Sequence, residues 1–380
     1  MKKRIGRILL VAVMAAVAAV SAAAQDNNAL FQKGLDQYKA RQFQEAIATF
    51  EAYLAQVPND KAAHYNIGLS RNELKQYESA VAAFKQAIAL DARYVDAYIQ
   101  MGNAQDYLAR YNEALASYMK AVEIDPANSQ AYFEIGVAHY RQKNYAAAAA
   151  AYETSARLKP AAPNTQYRLG LTYNELHRPD DAARAFETAI SLGTDNAYCF
   201  FELGKLYQAK ERYADAVRLF KQAIDRDAKD ASFYHELGAV YNSLKQFPEA
   251  IAAANAAIAL NGSNPDYYLE LGNSYYNNND YAGSVPYYKK AADLDPQGET
   301  SHVYLADAYL NSKQYDLALV SYEKVLQLDP KNAGAVYGVG LVYIAQHKLD
   351  LARQQQIKLQ VLDADLAAKL QGKIDKSRRP

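Results

Sequence analysis

The chain has 380 residues, 51% of them hydrophobic and 22% charged, which supplies apolar mass for an ordered core and excludes a compositionally disordered chain. Lysine plus arginine equals aspartate plus glutamate, 42 against 42, so there is no basic field for nucleic acid. A single cysteine, Cys199, excludes an intramolecular disulfide framework.

The chain opens with MKKRIGR, continues with an apolar run from Ile8 to Val20, and leaves it through SAAAQ. That order of basic, apolar and small residues is the layout of a secretory signal peptide over residues 1–24, with Ala22 and Ala24 at the two small positions and cleavage predicted before Gln25. The apolar run is shorter than the roughly 18 residues that span a bilayer, so no stable membrane span is expected after cleavage; an uncleaved anchor is the alternative. The segment has no cysteine for lipid attachment. Losing Lys2, Lys3, Arg4 and Arg7 leaves a mildly acidic mature protein. The alanine-rich leader points to a bacterial host and a periplasmic or secreted protein.

From residue 25 the chain repeats. FFELGKLYQAKERYADAVRLFKQAI (200–224) and YHELGAVYNSLKQFPEAIAAANAAI (234–258) stand 34 residues apart, and the same spacing links Gly34, Gly68, Gly102, Gly136, Gly170, Gly204, Gly238, Gly272, Ala306 and Gly340. Ten registers without an insertion or deletion are the signature of stacked repeats. Within each unit apolar residues fall at helical spacing twice. In the third, Tyr98, Met101, Gly102 and Gln105 share one helical face, LARY makes a turn, and Ala114, Tyr118 and Ala121 share another. Each unit is therefore predicted to be a helical hairpin. The recurrent glycine is expected to let the second helix press its own alanine (Ala46, Ala80, Ala114, Ala148, Ala182, Ala216, Ala250, Ala318, Ala352) against the first helix. Rings such as Phe50, Phe84, Tyr118, Tyr152, Phe186, Phe220, Tyr288 and Tyr322 fill the remaining gap. Pro58, Pro126, Pro160, Pro296 and Pro330 share one register and stop the second helices. Cys199 stands where other units carry Ala63, Ala97 and Ala131, and reads as a small packed residue.

Three irregularities stand out. Gly283, Ser284 and Pro286 fall early in the second helix of the eighth unit, predicting a late start or a kink. Ala254 replaces the ring in the seventh unit, which with Pro286 predicts softer packing over 250–290. Gln356 replaces it in the tenth. After Gln356 the stripe Leu366, Leu370 and Ile374 predicts a helix over 363–380 that covers the open end, with a dimerising helix as the alternative and KSRRP as a frayed tail.

Small residues at the eighth and twentieth places of each unit, rings at the seventeenth and twenty-fourth, and the terminal proline together resemble tetratricopeptide repeats, over residues 27 to about 362. The chain departs from the family in having no tryptophan; Tyr98, Tyr132, Phe200, Tyr234 and Tyr268, but also His64, Gln166 and His302, take its place. The resemblance implies an all-α, right-handed superhelical solenoid with a C-terminal cap, ten tandem units spanning 25–362, whose first helices line a concave groove that receives a peptide segment. By register that groove contains an aromatic row (Phe31, Tyr65, Ile99, Phe133, Tyr167, Phe201, His235), and beside it Gln32, Asn66, Gln100, Glu134, Arg168, Glu202, Glu236 and Glu270. Asn72, Asn103, Asn174, Asn242, Asn273, Asn277 and Asn311 form a third set, and Tyr140 shares the groove register. Asparagine amides can donate to and accept from a peptide backbone, and the glutamates favour a basic segment. The alternative is that the rings pack within the stack and the acids form a solvated face. The basic clamp of relatives that grip a terminal carboxylate is absent, its positions holding Phe31, Leu35, Asp96 and Gln100, with Asn66 the single match.

The 33 tyrosines could suggest a sugar or nucleic-acid platform, but Tyr77, Tyr111, Tyr145, Tyr213, Tyr281 and Tyr315 fall at core registers. The histidines (His64, His139, His177, His235, His302, His347) are scattered, there is no H-E-x-x-H or serine elbow, and the glycines never cluster to cradle phosphate. No cofactor, metal or catalytic residue is expected; His235 beside Glu202 and Glu236 is the one place where acid-base or metal chemistry can be imagined. The sequence thus predicts an exported, non-enzymatic scaffold that binds proteins or extended peptides. Two alternatives are a self-associating structural protein of the cell envelope and a regulatory adaptor for a separate cell-wall enzyme.

Overall fold

The computed structural model describes residues 25–377, so the leader read in residues 1–24 lies outside the described residues. Among these every regular element is an α-helix. The chain divides between Gly193 and Thr194 into two units of five hairpins each. In the first unit the hairpins are 25–39 with Phe43–Leu54, Lys61–Glu73 with Tyr77–Leu90, Val95–Tyr107 with Tyr111–Ile124, Ser129–Arg141 with Tyr145–Leu158, and Pro163–Glu175 with Pro179–Ser191. In the second they are Ala197–Ala209 with Tyr213–Arg226, Ala231–Ser243 with Phe247–Leu260, Pro265–Asn277 with Tyr281–Leu294, Glu299–Asn311 with Tyr315–Leu328, and Ala333–Ala345 with Leu349–Leu362. A last helix, Ala364–Lys376, packs on the tenth hairpin.

Local chemistry sets these boundaries. Six first helices start where a short side chain can accept their unpaired amides: Asp60 Oδ1 accepts from Ala62 N (2.8 Å) and Ala63 N (3.0 Å), and Asn128, Asn196, Asp230, Asn264 and Asn332 each accept from a first-turn amide, whereas the helices from Val95, Pro163 and Glu299 have no side-chain cap. The turn inside every hairpin carries one residue at positive φ, every 34 residues from Arg41 (61°) through Lys75, Ala109, Lys143, His177, Glu211, Lys245, Asn279 and Lys313 to His347 (59°). The amide of Arg41 donates to Tyr38 O and that of Gln42 to Gln37 O, both at 2.9 Å, which closes off the orphan carbonyls of the first helix. None of the ten is glycine, so each turn tolerates a left-handed residue that costs on the order of 1 kcal/mol.

The alanines of the second helices are fully buried from Ala46 to Ala352. What the glycine accommodates, however, is the ring sixteen residues on rather than the alanine. A Cβ at Gly34 would lie 2.7 Å from Phe50 Cε1, at Gly102 2.4 Å from Tyr118 Cε1, and at Gly272 2.5 Å from Tyr288 Cε1. The ninth hairpin has Ala306 at this place, and the end of the Tyr322 ring lies against Gly338 instead, 2.3 Å from where its Cβ would be. In the seventh, where Ala254 replaces the ring, the nearest atom to such a Cβ on Gly238 is Ala250 O at 3.5 Å. In the tenth, where Gln356 replaces it, the last helix supplies the missing side chain: Leu370 Cδ2 would lie 2.5 Å from a Cβ on Gly340. Leu370 and Ile374 are fully buried, as the stripe predicts.

The late start predicted at Pro286 is not found. The helix Tyr281–Leu294 begins in register because Asp280 Oδ1 accepts from Gly283 N at 2.8 Å. Gly283 makes room for that cap, since a Cβ there would lie 2.3 Å from the Asp280 carboxylate. Cys199 is fully buried and burial pushes its thiol up to about 12, which keeps it a packed thiol at neutral pH.

Candidate functional site

Within each unit the groove registers lie on one face of the first helices, and that face is braced between neighbouring hairpins. In the first unit Arg141 pairs with Asp106 of the preceding hairpin. In the second, Asn242 Nδ2 donates to Glu270 and, at 2.9 Å, to Ser274 Oγ, and Asn311 Nδ2 donates to the Tyr276 hydroxyl at 2.8 Å. First helices three or four residues out of step along the chain could not make these bonds; the constant period brings the twelfth and thirteenth places of one unit beside the sixth, tenth and twelfth of its neighbour.

The aromatic row packs within the stack. Each ring sits beside the ring of its own second helix: Phe31 against Phe50 (5.5 Å between centroids), Tyr65 against Phe84 (5.7 Å), Phe133 against Tyr152 (5.5 Å), Tyr167 against Phe186 (6.0 Å) and Phe201 against Phe220 (5.7 Å). Tyr65, Phe133 and Tyr167 remain half-buried, so one edge faces out, while Phe201 is buried. Tyr140 meets Tyr145 edge-on at 5.3 Å, and His235 lies 5.2 Å from Tyr267 with its Nδ1 buried and unpartnered.

The asparagines divide into two groups. Asn103 Oδ1 accepts from the Tyr118 hydroxyl and Asn273 Oδ1 from the Tyr288 hydroxyl, each at 2.8 Å, and Asn103 Nδ2 reaches Gln100 at 3.2 Å. These two amides serve the fold. Asn72 Oδ1 and Asn242 Oδ1 are buried with no partner; Asn174 is half-buried and Asn277 exposed.

Several carboxyl groups on this face are partly withdrawn from water. Burial pushes the carboxyl groups of Asp106 and Glu134 above the usual carboxylate range; Arg141 opposes the shift at Asp106, while at Glu134 a hydrogen bond from Gln130 opposes it first, followed by the charges of Arg141 and Arg168. Burial likewise raises Glu270 and Asp307 in the second unit, opposed at Glu270 by the Asn242 amide and His235, and at Asp307 by the Tyr322 hydroxyl. Arg168 Nε is buried without a partner, Glu202 lies 3.6 Å from Lys205, and Glu236 is half-buried near enough to Glu270 to raise it further. A buried acceptor without a donor costs free energy. Asp106, Arg141, Tyr276, Tyr304 and Asp307 belong to this face too, at the sixth, ninth, twelfth and thirteenth places. A register-by-register reading of those places could have found them; the asparagines and the row of glutamates on the same face are the more conspicuous signal.

Among the described residues no group of three or more His, Cys, Asp or Glu side chains is placed to hold a metal ion, and no helix is long and apolar enough to cross a membrane. The family described as tetratricopeptide repeat matches residues 31–94, 167–231, 201–265, 244–299, 269–333 and 304–360, with further repeat matches at 109–143 and 129–162. The chain is similar in structure to the C-terminal part of a TPR repeat-containing protein from Cytophaga hutchinsonii, at 22% identity and a TM-score of 0.55 over 63% of this chain and 98% of that one. It is also similar to a tetratricopeptide repeat protein from Parabacteroides merdae, at 15% identity and a TM-score of 0.49 over 65% of this chain and 98% of that one. No curated protein matches the chain.

Proposed function

The chain belongs to the tetratricopeptide-repeat family, and we propose that it is an exported, non-enzymatic scaffold that holds proteins or extended peptides, preferentially basic ones, against the face of its first helices. The observation that carries this reading is the set of acceptors withdrawn from water on the first helices of each unit: the raised carboxyl group of Glu134 and the unpartnered Asn72 Oδ1 in the first, and the raised carboxyl group of Glu270 and the unpartnered Asn242 Oδ1 in the second. Half-buried rings beside them add contact area at low entropy cost. Export rests on the basic, apolar and small-residue order of the first 24 residues.

The test is capture from the exported fraction of producing cells, with bound proteins identified by mass. Replacing Tyr140, Asn174 and Glu236 together lowers capture while leaving helicity unchanged. Undiminished capture by that variant moves the binding surface elsewhere, and absence of the protein from the exported and membrane-anchored fractions removes the export part of the reading. Self-association is the second reading, with Val320, Ile357 and Val361, which are 63%, 60% and 89% exposed, as the residues to substitute. A mass that rises with concentration supports it.

A further inference from the structure

We propose that the hollow between the first helices of the eighth and ninth hairpins receives an arginine side chain of the bound segment. This rests on the protein-binding reading and names one contact within it. The hollow has a volume of about 270 Å³ and is lined by Asn273, Tyr276, Asn277, Tyr288, Tyr304 and Asp307. It is smaller than the roughly 300–1,000 Å³ of pockets that enclose a drug-sized ligand, and suits a single side chain.

Three rings form its walls. Tyr288 is the floor, 2% exposed, with the Tyr304 ring 5.5 Å away and the Tyr276 ring 6.4 Å away, both inclined to it. Tyr304 is 36% exposed, so its ring borders solvent at the mouth. Tyrosine rings gathered around one small space offer electron-rich surface to a cation. A carboxylate joins them: Asp307 Oδ1 accepts from the Tyr322 hydroxyl, and no lysine, arginine or histidine of the described residues pairs with this group. Its carboxyl is raised by burial, the mark of a charge that lacks a counter-charge. Glu270 is near enough to add to the negative field at Tyr288.

Arginine suits this arrangement better than lysine. A guanidinium is flat, stacks on rings and carries five donors in a fork, so it can lie against Tyr304 while giving hydrogen bonds to the remaining lone pairs of Asp307. The Tyr276 hydroxyl, held by Asn311, and the exposed Asn277 at the rim offer further acceptors. An ammonium is a point charge with a tighter water shell and loses more on entering.

The probe is the pentapeptide acetyl-Ala-Ala-Arg-Ala-Ala-amide, compared by titration calorimetry with the same peptide carrying citrulline, which keeps the shape and drops the charge. The arginine peptide should bind the full chain at least about tenfold more tightly than the citrulline peptide, a difference of about 1.4 kcal/mol. Tyr304→Ala and Asp307→Asn should each remove that preference, with circular dichroism unchanged; Asn at 307 can still accept from Tyr322. Equal binding of the two peptides, absence of binding by the arginine peptide at millimolar concentration, or a preference that survives both substitutions overturns the proposal. Capture of proteins that is indifferent to Tyr304→Ala and Asp307→Asn removes this contact and leaves the scaffold reading. Arginine preference without any captured protein does the reverse.

Discussion

The hydroxyl of Tyr118 donates a 2.8 Å hydrogen bond to Asn103, whereas that of Tyr152, at the same place one hairpin later, is buried without a partner because Val137 stands where Asn103 would be. Removing the two hydroxyls should therefore have opposite effects. Tyr118→Phe costs about 1 kcal/mol by leaving Asn103 Oδ1 without its donor, while Tyr152→Phe relieves a desolvated group and gains a similar amount. Thermal unfolding of the two variants checks the sign of each.

The glycines also differ from one another. At Gly170 an added Cβ would lie 2.4 Å from Phe186 Cε1, in a ring that is fully buried, so Gly170→Ala should cost about 1–3 kcal/mol. At Gly238 the same atom meets only ordinary contacts beginning at 3.5 Å, and Gly238→Ala should stabilise by up to about 1 kcal/mol through helix propensity. Denaturant midpoints of the pair test the ring's role, since the family pattern alone predicts loss at both.

Ala109 holds φ at +57° in the third turn. Glycine has no steric cost there, and Ala109→Gly should raise stability by about 0.5–1 kcal/mol, whereas Ala109→Val should lower it by more than that. Melting temperatures of the two variants, compared with the parent, settle the order.

Glu270 titrates above an ordinary glutamate because burial disfavours its charge. An acid with a raised folded pKa is in its favoured form below the unfolded value, near 4.3, and loses stability as pH climbs through the folded value. Glu270→Gln, which keeps an oxygen for Asn242, should thus stabilise at pH 7 by about 1 kcal/mol and have little effect at pH 3.5. The same substitution should weaken capture of a basic partner. Unfolding curves at the two pH values give the sign.

Much of the architecture could be read from spacing. The period fixes where Gly34 to Gly340 recur, and Leu366, Leu370 and Ile374 outline the last helix. The occupant of each glycine slot could not be read, because Ala46 and Phe50 lie one turn apart on the same helix and spacing cannot tell which of them faces Gly34. Nor could the left-handed turn residues, which are lysine, arginine, histidine, glutamate, asparagine and alanine and carry no glycine signature. At the candidate site the registers were legible and the roles were not. Asn103 and Asn242 stand at the ninth and twelfth places of their units and read as one set in the sequence, yet the first is bound to a tyrosine of its own hairpin and the second reaches into the next.

Leu370 fills from outside a slot that most hairpins fill with their own ring. The tenth hairpin is thus completed only by the terminal helix, whereas an internal hairpin such as the third carries its own ring and can be copied whole. Duplicating a unit within the array leaves Leu370 seated, while inserting one after Leu362 separates it from Gly340.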